Sequence, residues 1–319
     1  MTSTDPPTTS SSEGAKRKLK ILMLHGYQQS GSLFHAKTRV LEKALQKAFP
    51  AAPAVGHLPA YPGGVSLIYP TAPIRLHATD LPSSHNSSGT GSRSGDAGAS
   101  ASASTSGTAT PKDDNEQPEA YGWWIRDEQT GEYNHFERGL SAIAETLERE
   151  GDVAGAIGFS QGAGAAAIVA SLLEEGRREA FTAAGKEGKE PAMAFPESFL
   201  REGDSGKSRM VHAPLKFGII YSGMAADRTA LYRALYEPKV KTPLLHFIGS
   251  LDVLVEEARS LRLVEKSVDW NAEPGQEGHQ EDTSASRRVI YHPGGHFLPT
   301  QKQYVMAVIG FIKATLGKE

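Results

Sequence analysis

Apolar residues along the chain fall into two patterns. Short unbroken runs at Lys20–Leu24, Val65–Tyr69, Val153–Phe159, Phe217–Tyr221, Leu244–Ile248 and Val289–Tyr291 predict strands buried on both faces. Between them the apolar positions recur at helical spacing. Val40, Leu41, Ala44, Leu45 and Ala48 share one face of a helix closed by Pro50, and Leu140, Ile143, Ala144 and Leu147 share a face of another. Ala163–Leu173 reads as a tightly packed helix of small residues. Glu256 and Glu257 begin a helix carrying Leu261, Leu263 and Val264. Val305, Val308, Ile309 and Ile312 form the stripe of a closing helix within Pro299–Leu316. Strands alternating with helices predict βαβ units and a mostly parallel sheet.

Polar stretches interrupt this alternation. The segment 1–18 is rich in Ser, Thr and Pro and reads as a disordered tail. Insertions at about 82–118, 176–212 and 271–287 carry so few apolar side chains that they read as mobile surface loops. Loop length costs little free energy when the loop joins finished elements, so 19–319 is expected to be one α/β domain. Order is expected to resume near Tyr121, where Trp123, Trp124 and Ile125 cluster. The two tryptophans are expected to anchor the chain in the core after the first insertion; lining an acyl pocket is their alternative role.

Composition narrows the function. A net charge of −3 and a pI near 6.4 offer no basic patch for nucleic acid. With no cysteine, disulfides, thiolate metal sites and a cysteine nucleophile are excluded. The N-terminus lacks the apolar stretch of a secretory signal. Ala163–Leu173 is far short of the roughly 20 residues of a membrane span. A cytoplasmic protein with no membrane span is expected.

The chemistry converges on Gly158-Phe159-Ser160-Gln161-Gly162, a G-x-S-x-G pattern set between a strand and a helix. There a serine sits on a sharp turn above the sheet, and flanking glycines let backbone approach backbone. A serine hydroxyl needs a base, and the base needs a carboxylate. His296 is the favoured base, since Gly294 and Gly295 allow a loop back over the sheet, whereas His292 follows the last strand too closely. Asp252, just past the Leu244–Ile248 strand, is the favoured acid and Asp227 its rival. The amide of Gln161 and that of Tyr27, in the loop after the first strand, are candidate oxyanion donors. Tyr27, Phe159 and Phe297 adjoin these positions and are expected to touch substrate.

Taken together, His25-Gly26-Tyr27-x-Gln29-Ser30-Gly31, the Trp123-Trp124 segment, Gly158 to Ala163, Gly249-x-x-Asp252 and Gly294-Gly295-His296 resemble the FSH family of small serine hydrolases. The resemblance covers about Lys20 to Phe311 outside the insertions. It implies an α/β-hydrolase fold, a mostly parallel sheet flanked by helices without a large cap domain, and a triad of Ser160, Asp252 and His296. It implies an esterase or thioesterase that needs no metal or cofactor, acting on small acyl esters or thioesters. An acyl carrier or polyketide synthase is a possible partner. The alternatives are a non-catalytic binding protein on the same fold and an acyltransferase with an acceptor other than water.

Overall fold

In the computed structural model the described residues are 16–77, 119–188, 190–203, 206, 208–269 and 288–317. Six strands form one parallel sheet: β1 (Leu19–Leu24), β2 (Val65–Ile68), β3 (Val153–Phe159), β4 (Phe217–Tyr221), β5 (Leu244–Gly249) and β6 (Val289–His292). Their order across the sheet is β6-β5-β4-β3-β1-β2. Six helices accompany them: α1 (Gly31–Ala48), α2 (Phe136–Glu150), α3 (Gln161–Leu172), α4 (Arg177–Glu187), α5 (Glu257–Glu265) and α6 (Lys302–Leu316).

The strands read as unbroken apolar runs because both faces of the sheet are covered. Along β1, Leu22 and Leu24 point into a cluster with α2 and α3, while Ile21 and Met23 point into one with α1 and α6. Burying each such side chain contributes about 1.5–3 kcal/mol. All seven residues of β3 are buried, as its central position requires. Every residue of α3 is buried as well, and its alanines and glycines let it lie directly on the strands. This parallel sheet with helices on both faces is the α/β-hydrolase architecture.

Two expectations change. The first helix begins at Gly31, capped by the Ser30 hydroxyl accepting from Leu33 N–H. It buries Phe34, Thr38, Leu41 and Leu45, while Val40 is exposed; the apolar stripe is rotated from the one read off the sequence. The polar segment 176–212 is substantially ordered rather than a mobile loop. It contains α4 and a hairpin of Leu200–Glu202 with Ser208–Met210. It is tied down by buried Phe181 and Phe199 and by Arg177, whose guanidinium donates to the Ala234 and Pro238 carbonyls and to Glu174. The insertions expected at 82–118 and 271–287, and nearly all of the tail, lie outside the described residues. Among the described residues, no helix is long and apolar enough to cross a membrane.

Candidate active site

The site is assembled at the carboxyl ends of β1, β3, β5 and β6, where open parallel sheets bind ligands. Ser160 follows β3 with φ 55 and ψ −119, a conformation L-residues adopt only under strain. The glycines around it are fixed by close approach. A Cβ on Gly158 would lie 2.1 Å from the Gly162 carbonyl oxygen, and one on Gly162 would lie 2.1 Å from that of Leu24. Backbone atoms cannot move aside, so the strand-turn-helix can close only with glycine at both places.

The loop after β1 presses on this turn. A Cβ on Gly26 would come within 3.3 Å of the Ser160 Cβ. The loop is held by His25, fully buried, whose Nδ1–H donates to the Gly26 carbonyl at 2.8 Å and whose Nε2 accepts from Ala72 N–H at 2.9 Å. Acceptance at Nε2 needs the neutral imidazole. Burial, partly offset by the Gly26 bond, lowers the His25 pKa to about 4. Trp123 completes the network, donating from Nε1 to the His25 carbonyl at 2.9 Å.

Gln161 opens α3 at the helix N-terminus, where backbone N–H groups lack intrahelical partners. Its carboxamide grips the tryptophan segment: Oε1 accepts from Trp123 N–H and Nε2 donates to the Trp124 carbonyl, each at 2.8 Å. Trp123 and Trp124 are buried, Trp124 stacking on Tyr133 with centroids 4.9 Å apart. They belong to the core and do not line the cleft.

The loops after β5 and β6 are pressed together. A Cβ on Gly249 would meet the carbonyl oxygens of Gly294 and Gly295 at 2.6 and 2.7 Å, and Leu251 N–H donates to the Gly294 carbonyl. This contact brings Asp252 to His296, whose Nδ1–H donates to Asp252 Oδ2 at 2.8 Å. The other oxygen, Oδ1, accepts from the N–H groups of Leu254 and Val255 at 3.0 and 2.9 Å. Burial pushes the Asp252 pKa up, but the Val255 N–H and His296 bonds outweigh it and hold the carboxyl below its usual range.

The rivals sit elsewhere. Asp227 pairs with Arg262 Nε at 2.8 Å. His292 is buried against Phe297 and Tyr304, its Nδ1 without a partner, and burial lowers its pKa.

Ser160 and His296 line one cleft of about 630 Å³ together with Tyr27, Gln28, Gln29, Lys37, Phe159, Met224, Leu254, Val255, Phe297 and Leu298. Tyr27, Phe159 and Phe297 were expected here from adjacency in sequence. Phe159 also packs on the His296 ring, centroids 4.7 Å apart. Lys37 and Met224 were missed, since neither lies beside a motif. The clamping role of the Gln161 side chain was also missed, and no local signal could have revealed it.

The profile of the family described as serine hydrolase (FSH1) matches residues 15–308. The chain belongs to that family. The chain is 28% identical over 312 residues to a Saccharomyces cerevisiae protein named family of serine hydrolases 3, covering 95% of this chain and 86% of the other. It is 24% identical to the Danio rerio esterase OVCA2, covering 92% and 96%. It is 25% identical to a Schizosaccharomyces pombe protein named dihydrofolate reductase, spanning 95% of this chain but only 49% of that one. Family membership makes the protein a serine hydrolase.

Proposed function

We propose that this hydrolase cleaves carboxylic esters or acyl thioesters through an acyl-enzyme on Ser160, with His296 as base and Asp252 as its partner. The observation that carries the reading is the 2.8 Å bond from His296 to Asp252, beside a cleft that His296 shares with Ser160. An ionised carboxylate only accepts, so it keeps the proton of His296 on Nδ1 and leaves Nε2 free to act as base.

The Ser160 Oγ attacks the acyl carbonyl and its proton passes to His296 Nε2. The carbonyl electron pair moves to oxygen, and the amides of Tyr27 and Gln161 stabilise that charge. His25 holds the Gly26 carbonyl on its own side. In a trans peptide the N–H points opposite to the carbonyl, so the Tyr27 N–H is directed away from His25. Collapse of the intermediate breaks the C–O or C–S bond, and the leaving group takes the proton from His296. Water then attacks the acyl-serine, gives a proton to His296, and the carboxylic acid departs as Ser160 recovers its hydrogen.

The cleft walls fit an acyl chain: Phe159, Met224, Leu254, Val255, Phe297 and Leu298 present apolar surface around the serine. The test is labelling with a fluorophosphonate together with turnover of a short 4-nitrophenyl ester. Both should occur in the wild type and vanish in Ser160→Ala and His296→Ala. Equal labelling of wild type and Ser160→Ala would overturn the reading.

A further inference from the structure

Next to the serine cleft lies a second, much smaller depression lined by Arg126, Arg228, Arg259 and Arg262 together with Asp227 and Met224. Its arginines come from three separate parts of the chain: the ribbon of Ile125–Arg126 with Tyr133–Asn134, the loop after β4, and two positions one turn apart on α5. We propose that this depression is a subsite for an oxyanion, a carboxylate or a phosphate, carried by the substrate at a short distance from its ester carbonyl. The proposal rests on the hydrolase reading above and specifies the substrate class.

Charge balance is the first argument. Among the described residues, two carboxylates attend the four guanidiniums. Asp227 takes Arg262, and the exposed Glu128 is shared by Arg126 and Arg228, the latter at 3.7 Å. Arg259 pairs with neither of them. Its guanidinium donates to the Leu254 carbonyl at 3.2 Å and lies against the Met224 sulfur. The chain as a whole is acidic, with net charge −3, so general basicity does not account for the excess. Burial, then the charges of Arg126 and Arg228, pull the Arg259 pKa below its usual value. An added anion would relieve that repulsion.

Placement is the second argument. Met224 lines both the depression and the serine cleft, and Leu254, whose carbonyl Arg259 holds, lines the cleft too. Methionine is a flexible wall, so a chain lying along the cleft can end among the arginines. The depression has room for about 10 Å³, close to one water-sized group. That suits a terminal oxygen and excludes a whole substrate. Guanidiniums match carboxylate and phosphate geometry in a way that ammonium groups do not.

The test compares 4-nitrophenyl butyrate, which is neutral, with 4-nitrophenyl hydrogen succinate and with 4-nitrophenyl 3-phosphonopropanoate. Each is assayed with the wild type, Arg259→Met and the more exposed Arg228→Gln. The quantity read is the ratio of kcat/KM for each anionic ester to that for the neutral one. The ratio should fall about tenfold in Arg259→Met, fall by a smaller factor in Arg228→Gln, and decline in the wild type as salt rises. Which anionic ester is favoured identifies the oxyanion. A ratio unchanged in both variants overturns the subsite. Loss of turnover on all three esters in the wild type would instead overturn the hydrolase reading. Calorimetric titration of Ser160→Ala with the same esters then decides the subsite alone. Tighter binding of an anionic ester, weakened by adding Arg259→Met, supports it, and equal binding of all three overturns it.

Discussion

Gln161 and Trp123 lie 38 residues apart in sequence, yet the Trp123 N–H donates to the Gln161 carboxamide at 2.8 Å. The residue directly after the candidate nucleophile therefore also holds the segment that packs behind the loop after β1. Replacing it with methionine keeps the volume but leaves the buried Trp123 N–H and Trp124 carbonyl unpaired. Each orphaned group costs about 1–3 kcal/mol. Gln161→Met should lower the unfolding free energy by that order in denaturant titration. Unchanged stability would show that the clamp is dispensable.

The backbone of Ser160, at φ 55 and ψ −119, stores strain of order 1–3 kcal/mol. Ser160→Ala removes the hydroxyl and keeps the strain, whereas Ser160→Gly removes both. Part of the gain is offset by the greater entropy of glycine in the unfolded chain. Ser160→Gly should therefore exceed Ser160→Ala in stability by about 1 kcal/mol, with neither variant active. The reverse order in thermal melts would mean that the turn is not strained.

Asp252→Asn keeps the shape of the side chain but offers His296 an amide in place of a carboxylate. Rates of ester turnover should fall by about 10⁴-fold, the scale of loss when a triad carboxylate becomes an amide. Asp227→Asn, which loosens Arg262 rather than His296, should cost less than tenfold on a neutral ester. If Asp227→Asn proves the more damaging, the acid has been misassigned.

Two buried histidines make the fold acid-sensitive. Burial lowers the pKa of His25 to about 4 and that of His246 to about 3, against 6.5 in the unfolded chain. Between those values the unfolded state binds protons that the folded state refuses, so stability falls as pH drops below about 6.5. The His25 share is on the order of 3 kcal/mol by pH 4, and His246 acts in the same direction. Urea titrations at pH 7 and pH 5 should show the loss. In His25→Asn the dependence should be shallower, and an unaltered slope would remove His25 as a cause.

Much of this was legible in the sequence. The six strands announced themselves because a parallel sheet covered on both faces demands unbroken apolar runs, and Val153–Phe159 is the purest of them. The meeting of Asp252 and His296 was readable as two strand ends followed by short glycine loops. What escaped depends on partners distant along the chain. Arg177 looks like a surface charge until the Ala234 and Pro238 carbonyls surround it, so a polar stretch was read as loose. Val40 fits an apolar stripe by spacing, but packing turned α1 toward Phe34 and Thr38. His25 stands in the loop motif after the first strand, but its role in holding that loop is invisible in sequence, since one of its two hydrogen bonds reaches the remote Ala72.

The two oxygens of Asp252 divide their work. One holds His296, and the other fixes the turn through the main-chain N–H groups of Leu254 and Val255, contacts indifferent to which side chains follow. Leu251, Val253 and Leu254 meanwhile stand 69%, 84% and 66% exposed around it. Because the turn is secured through backbone, those three positions are free to vary without dislodging Asp252. Of the three, Leu254 lines the cleft, so randomising position 254 would reshape the cleft wall while leaving the contact between Asp252 and His296 in place.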